Sequence, residues 1–376
     1  MFFLEIYAAC SILVLSYVTF ATFREQCVFK SKTVFVVGAG ASYELGLPLG
    51  VKLKDTIAGK LRFSFDHRPI PETGDRVLAH HIMRLPTNAD LSHPVEYFRA
   101  AEVISRGLPL AISIDNYIDA HRGNLAIERV GKLAIFQSIL EAERASKLYS
   151  EHIQNINQIN LGRVSDTWLI SLFRMASEGV SLGEISNVFR NLAFISFNYD
   201  RCIEQFLETA LRVYYGIERA KAAEIVGQVP ILHPYGVLGS ISDQPNKRTL
   251  PFGEDPARSE MVDYYQQLRT FTEQTNSDEE LGSLRNLLLD SERIVFLGFA
   301  YHRLNLDLLA FGPAKNKIEV LGTAYGISDA DTEVISKDIW LLMRHAKINQ
   351  NAIKVTIRND MTCANFLQSY WRTLTA

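Results

Sequence analysis

Three polar residues along this chain follow short apolar runs, the places where a buried strand hands over to a turn. In Phe194-Ile-Ser-Phe-Asn198-Tyr-Asp200-Arg201, Asn198 can orient a water or hold a sugar hydroxyl, and Asp200 can accept from a hydroxyl or an amide. The competing reading is that Asn198 or Asp200 N-caps a helix running from Arg201 to Tyr214; for Asp200 taken alone, capping is the stronger of the two. In Val229-Pro-Ile-Leu-His233-Pro-Tyr-Gly236 one histidine ends a short apolar segment. An imidazole near its unperturbed pKa of about 6.5 can take a proton from a sugar hydroxyl at neutral pH. A lone histidine is more often a hydrogen-bonded structural residue, so His233 needs a partner before it counts as chemistry.

Two further stretches suit the binding of an anion or nucleotide. Val36-Val-Gly38-Ala39-Gly40-Ala41-Ser42 runs from a buried strand through small residues toward a helix. Its glycines would let a backbone approach a pyrophosphate, and free N–H groups at a helix start favour the anion by ~0.3–1 kcal/mol. Ser42 adds a hydroxyl. The usual dinucleotide fingerprint is broken, because Tyr43 stands where its third glycine belongs, and a purely structural tight turn is the alternative. The second stretch, Ile294-Val-Phe-Leu-Gly298-Phe299-Ala-Tyr-His-Arg-Leu-Asn305, repeats the pattern of strand, glycine and polar turn and would shape an adenosine side.

The elements that must position these residues follow from hydrophobic patterning. Thr33 to Val37 is an unbroken β-branched and aromatic run, as expected of a strand with both faces buried in a parallel sheet. Similar runs occur at Leu192 to Phe197, Ile294 to Phe299 and Ile318 to Leu321, with a last one around Ile353 to Ile357 before a helix at Cys363 to Leu374. Strand and helix alternate, so the chain is read as α/β: a Rossmann-like open parallel sheet flanked by helices. From about 51 to 191 the pattern is mainly helical, most clearly from Leu125 to Leu148, and is read as a helical insertion subdomain. The stretch Ser240 to Ser259, with Pro245, Pro251 and Pro256, is the best loop, placed to move over a site.

Composition bounds what the chain can be. With 376 residues, 47% hydrophobic and 22% charged, it can bury a full core. A formal charge of -3, from 39 basic and 42 acidic residues, creates no sequence-wide field for nucleic acid, and no direct nucleic-acid binding is expected. Cys10, Cys27, Cys202 and Cys363 are too scattered to close a tetrahedral zinc site, so no zinc is expected. Ile6 to Phe23 carries no charge. At ~1.5 Å per residue it reaches roughly 27 Å, against about 30 Å for a hydrocarbon core. Residues 1–24 therefore stand apart from a 25–376 domain as a membrane anchor, a buried helix or an upstream extension. If they are an anchor, Arg24, Lys30 and Lys32 would place the rest of the chain in the cytoplasm.

The order of motifs, Gly-Ala-Gly-x-Ser-x-x-x-Gly-x-Pro, then Asn-x-Asp, then His-x-x-Gly, then a strand-glycine turn, resembles the sirtuin superfamily across roughly residues 32 to 325. The resemblance implies that Gly38, Ala39, Gly40, Ala41 and Ser42 line a phosphate site for NAD, that Asn198 and Asp200 face the ribose and nicotinamide, and that His233 is the catalytic histidine. Protein-deacetylating sirtuins carry a four-cysteine zinc ribbon and an Asp-Phe-Arg after the first proline, whereas here Pro48 is followed by Leu49 and Gly50. The long insertion, with Ser113-Ile-Asp-Asn-Tyr-Ile-Asp119 and the Gly131-Lys132 helix, looks instead like bacterial sirtuin-like proteins of anti-phage defence, which consume NAD. That implies an NAD hydrolase releasing ADP-ribose and nicotinamide, restrained through a partner defence protein or a homo-oligomer. The rivals are NAD-dependent deacylation or ADP-ribosyl transfer, and a regulatory subunit that senses NAD or ADP-ribose.

Overall fold

The computed structural model describes residues 29–66, 71–87, 93–150, 160–242, 248–257, 260–270, 273, 278–310, 318–344 and 353–376. The apolar run from Ile6 to Phe23, Cys10 and Cys27 lie outside them. Six strands, β1 (Thr33–Val37), β2 (Leu192–Ser196), β3 (Ile231–Leu232), β4 (Arg293–Leu297), β5 (Ile318–Thr323) and β6 (Ile353–Arg358), form one parallel sheet in the order β3-β2-β1-β4-β5-β6. This is the doubly wound Rossmann-like arrangement, and the order reverses between β1 and β4, where such sheets open a crevice at their carboxyl edge. Val37 is level with Ser196 on one side and Leu297 on the other, so the turns after β1, β2 and β4 emerge side by side.

β1, β2 and β4 are buried on every residue, as their continuously apolar sequences require. Alternate side chains enter two separate cores. Val34, Val36 and Ile195 face one layer of helices, while Phe35, Val37 and Phe194 face another. Between β1 and β2, α1 (Ala39–Tyr43) lies in the glycine turn before the expected helical stretch, and α2 (Gly50–Lys60), α3 (Arg76–Ile82), α4 (Pro94–Gly107), α5 (Ile114–Ala120), α6 (Leu125–Ala145) and α7 (Trp168–Ser177) fall along it. The stretch does not act as one layer. Helices α2 to α6 pack on the Val34 face, but Trp168, Leu169 and Leu172 of α7 join the Phe35 face. Asn124 starts α6 by accepting the Ile127 N–H at 3.1 Å.

The remaining helices are α8 (Cys202–Tyr215), α9 (Arg219–Gly227), α10 (Met261–Tyr265), α11 (Asp278–Leu289), α12 (Arg303–Leu308), α13 (Asp329–Arg344), α14 (Cys363–Ser369) and α15 (Trp371–Thr375). The expected final helix is thus two helices, broken at Tyr370. The segment read as a mobile loop is pinned in its described parts: Leu250 and Phe252 are buried, and Ser240 pairs with Arg248 and Leu250 through backbone hydrogen bonds of 2.8 Å. Among the described residues no helix is long and apolar enough to cross a membrane.

Candidate active site

The carboxyl edge brings together residues from turns far apart in the chain. Ser42 in α1, after β1, donates its hydroxyl to Asp200 Oδ2 at 2.8 Å and accepts from Asn198 Nδ2 at 2.8 Å. The direction of these bonds follows from chemistry. An ionised Asp200 can only accept, so the Ser42 proton turns toward it, and Ser42 is left to receive the amide of Asn198. Asn198 therefore presents Nδ2 to Ser42 and keeps Oδ1 for another partner. Asp200 Oδ1 also accepts the Cys202 N–H at 3.1 Å, but the N-cap position of α8 is Arg201, without a side-chain cap bond, so Asp200 braces the turn into the helix rather than N-capping it. Burial raises the Asp200 carboxyl above its usual range, against the lowering effect of these hydrogen bonds.

His233 follows β3, a strand of only two residues within the apolar segment Val229 to Leu232. Its Nδ1 lies 3.1 Å from the Asn198 carbonyl and its Nε2 lies 2.8 Å from Glu204 Oε1 in the first turn of α8. Burial pulls the imidazole down, but the Glu204 carboxylate, the Asn198 carbonyl and Asp200 outweigh it and leave the ring above its ordinary value. Burial likewise pushes Glu204 up, and His233 more than reverses that. Glu204 was not singled out in the sequence. Its only signal is a carboxylate four residues beyond Asp200, in the first turn of the helix that follows.

The glycines have a different setting from the one expected. The N–H groups of Gly38 and Gly40 are not free: they donate to the Leu297 and Gly298 carbonyls at 3.0 and 2.9 Å. A Cβ on Gly38 would lie 2.6 Å from Gly298 O, and one on Gly40 2.8 Å from Gly298 Cα. The small residues thus let the turns after β1 and β4 close against each other across the switch point. Gly298 is itself left-handed, at φ +56, and its N–H donates to Thr323 Oγ1 at 2.9 Å. Ala39 and Gly40 are half-buried, and Ser42 is buried. Ala41 is fully buried in the Phe35-side core, and its carbonyl accepts Trp168 Nε1 at 3.1 Å.

Phe299 backs the glycine turn, its Cα 2.8 Å from where a Cβ on Gly38 would lie. Phe299 packs edge-on against Phe197, with ring centroids 5.0 Å apart, and against Phe296 and Tyr301. Asn305 Oδ1 accepts the Tyr235 hydroxyl at 2.5 Å. Tyr199, next to Asn198, donates to Asp115 of α5, which ties the Ser113–Asp119 motif of the helical stretch to the same edge.

A cavity of about 630 Å³ opens beside β3. His233, Glu204, Glu208, Ser242 and Arg269 line it, whereas Gly38 to Ser42, Asn198 and Asp200 do not. Among the described residues no group of three or more histidine, cysteine, aspartate or glutamate side chains is placed to hold a metal. Cys202 and Cys363 are buried free thiols.

No protein-family model matches the chain, and no curated protein matches it. Among solved structures it is similar to a Sir2 homolog in complex with NAD, at 11% identity and a TM-score of 0.36, covering 93% of this chain and 91% of that one. It is also similar to a mutant Sir2 homologue in complex with 2'-O-acetyl ADP ribose, at 9% identity and a TM-score of 0.35, covering 92% of this chain and 93% of that one. Likeness at this level says nothing of ligand or activity.

Proposed function

We propose that residues 25–376 bind NAD as substrate and hydrolyse its nicotinamide–ribose bond to ADP-ribose and nicotinamide. The observation that carries this reading is the convergence of Ser42, Asn198, Asp200 and His233, from the turns after three neighbouring strands, into one hydrogen-bonded cluster. Bond breaking passes through an oxocarbenium-like ribose while neutral nicotinamide departs. The leaving group already carries the positive charge, so no strong acid is required. Asn198, with Nδ2 committed to Ser42, offers Oδ1 to the attacking water or to a ribose hydroxyl. His233, whose Nδ1 proton is committed to the Asn198 carbonyl, has Nε2 as its exchangeable nitrogen and accepts a hydroxyl proton there. Such a positioned transfer is worth ~10²–10⁴ in rate.

On the phosphate side, the half-buried Ala39 and Gly40 and the Ser42 hydroxyl would face the pyrophosphate without the Gly38 and Gly40 N–H groups, which donate to the Leu297 and Gly298 carbonyls, and Gly298, Phe299 and Asn305 would shape the adenosine side. The motif resemblance and the helical Ser113–Asp119 segment support a role in bacterial anti-phage defence by NAD depletion, with the enzyme restrained by assembly or by a partner. Mass spectrometry of nucleotides after incubating the purified full chain with NAD tests the reaction. Equal release of nicotinamide and ADP-ribose is expected, with Asn198→Ala lowering kcat by at least ~10² while NAD still binds. Turnover unchanged in Asn198→Ala would refute the assignment, and binding without any turnover would favour a sensor subunit.

A further inference from the structure

His233 is held at both ring nitrogens, and the two partners differ in kind. At Nδ1 stands the Asn198 backbone carbonyl, which can only accept and cannot swing away, so Nδ1 keeps its proton in every state. At Nε2 stands a carboxylate on a side chain with rotatable bonds. Nε2 is therefore the nitrogen that can gain and lose a proton, and in the free protein it is occupied. The Glu204 side chain is 25% exposed on the wall of the 630 Å³ cavity. Its Oε2 is shielded from solvent and has no hydrogen-bond partner among the described residues, so only one oxygen anchors it.

We propose that Glu204 is a latch on the basic nitrogen of His233, which a substrate hydroxyl must displace toward the neighbouring cavity before proton transfer can occur. The proton balance is simple. The Nε2 proton of the imidazolium passes to the Glu204 carboxylate, giving a neutral imidazole with a lone pair on Nε2 and a neutral carboxylic acid. The acid then loses its proton to water in the cavity, and Nε2 takes the proton of the incoming hydroxyl. Asp200 favours the charged form of the ring, Arg201 favours the ionised form of Glu204, and Glu208 and Arg269 lie on the cavity wall. The identity of the displacing hydroxyl as a ribose rests on the NAD hydrolase reading; the pair itself does not.

Two measurements on the full chain separate the latch from that reading. Nitrogen NMR of the His233 ring, assigned with a His233→Gln control, reads the pair without substrate. In Glu204→Gln the ring should titrate at lower pH than in the wild type, and an unchanged titration overturns the pair. The pH profile of kcat/KM for NAD hydrolysis reads the latch. Its acid limb should move to lower pH in Glu204→Gln, with kcat/KM at neutral pH higher by about tenfold, the scale of a charge-assisted hydrogen bond no longer to be broken. A fall in kcat/KM at every pH, with the ring titration shifted, makes Glu204 an activating partner and overturns the latch. If neither protein turns NAD over, the hydrolase reading fails on its own. ADP-ribose then tests the latch: its addition should shift the Nε2 signal of the wild type, and binding with no such shift overturns it. Should Glu204→Gln fold poorly, Glu204→Asp keeps the charge on a shorter arm and should change both readouts in the same direction by less.

Discussion

The pairing of His233 with Glu204 is an ionic contact in a half-enclosed place, and its contribution to stability depends on pH in a definite way. The histidine titrates above its ordinary value of 6.5 in the folded protein, so its share is fully present below 6.5 and is lost as pH rises through the raised value. The carboxylate titrates below its ordinary 4.5, so its share is present above 4.5 and is lost as pH falls through the lowered value. The pair therefore stabilises most between about pH 4.5 and 6.5. Thermal unfolding of wild type and Glu204→Gln across pH should show the largest Tm difference in that window and a smaller one on either side; a difference that is flat with pH would mean the contact is not ionic. Asn198, Asp200 and His233 were legible in the sequence because each follows an apolar run that had to end at the sheet's edge. Glu204 was not, since nothing local distinguishes one helical carboxylate from another until the turn after β3 brings a histidine against it.

At the scale of elements, the crevice between β1 and β4 is closed by glycine against glycine. Gly298 combines a left-handed backbone with a setting in which a Cβ would lie 2.1 Å from Ala41 N. Neither problem can be relieved by moving a side chain, because the obstructing atoms are backbone. Gly298→Ala should cost more than about 3 kcal/mol, seen as a lower midpoint in urea unfolding or as insoluble expression. Wild-type stability in this variant would mean that the two turns are not packed as described. The strand-glycine pattern announced both turns, but it suggested room for a phosphate rather than their contact with each other. Strands β1, β2, β4 and β5 were readable from mainly apolar runs, and β6 from the Ile353 to Ile357 stretch before the last helix. Strand β3 was not, because two residues leave no period to detect. The helical character of residues 51–191 was equally plain, yet the split of α7 from α2–α6 was hidden. A helix's apolar stripe shows which side is buried and not which face of the sheet receives it.

Across the whole molecule, a buried ion pair ties the helical layer to the sheet's carboxyl edge. Glu143, near the end of α6, and Arg201, directly after Asp200, are 0% and 1% exposed and meet at 2.5 Å. Glu143 also accepts the Arg201 N–H at 3.0 Å and the Gly253 N–H at 3.2 Å, while Arg201 donates to the Leu250 carbonyl. Three segments distant in sequence are thus locked around two charges, and the lock lies next to the residue that orients Ser42. Taking charges out of water is costly, so the pair itself adds little net stability, but removing one partner strands the other. Glu143→Met should therefore lower stability by roughly 3–5 kcal/mol in urea unfolding of the full chain. Arg201→Met should cost a similar amount, and the double variant Glu143→Met, Arg201→Met should cost clearly less than the sum, because no unpaired charge then remains buried. Catalytic rate should follow a different order. All three variants should lose activity, the double variant included, since each frees the turn that carries Asp200 from α6. Strictly additive stability losses would mean the two charges do not depend on each other, and a double variant with full activity would mean the site's geometry is set by the sheet alone.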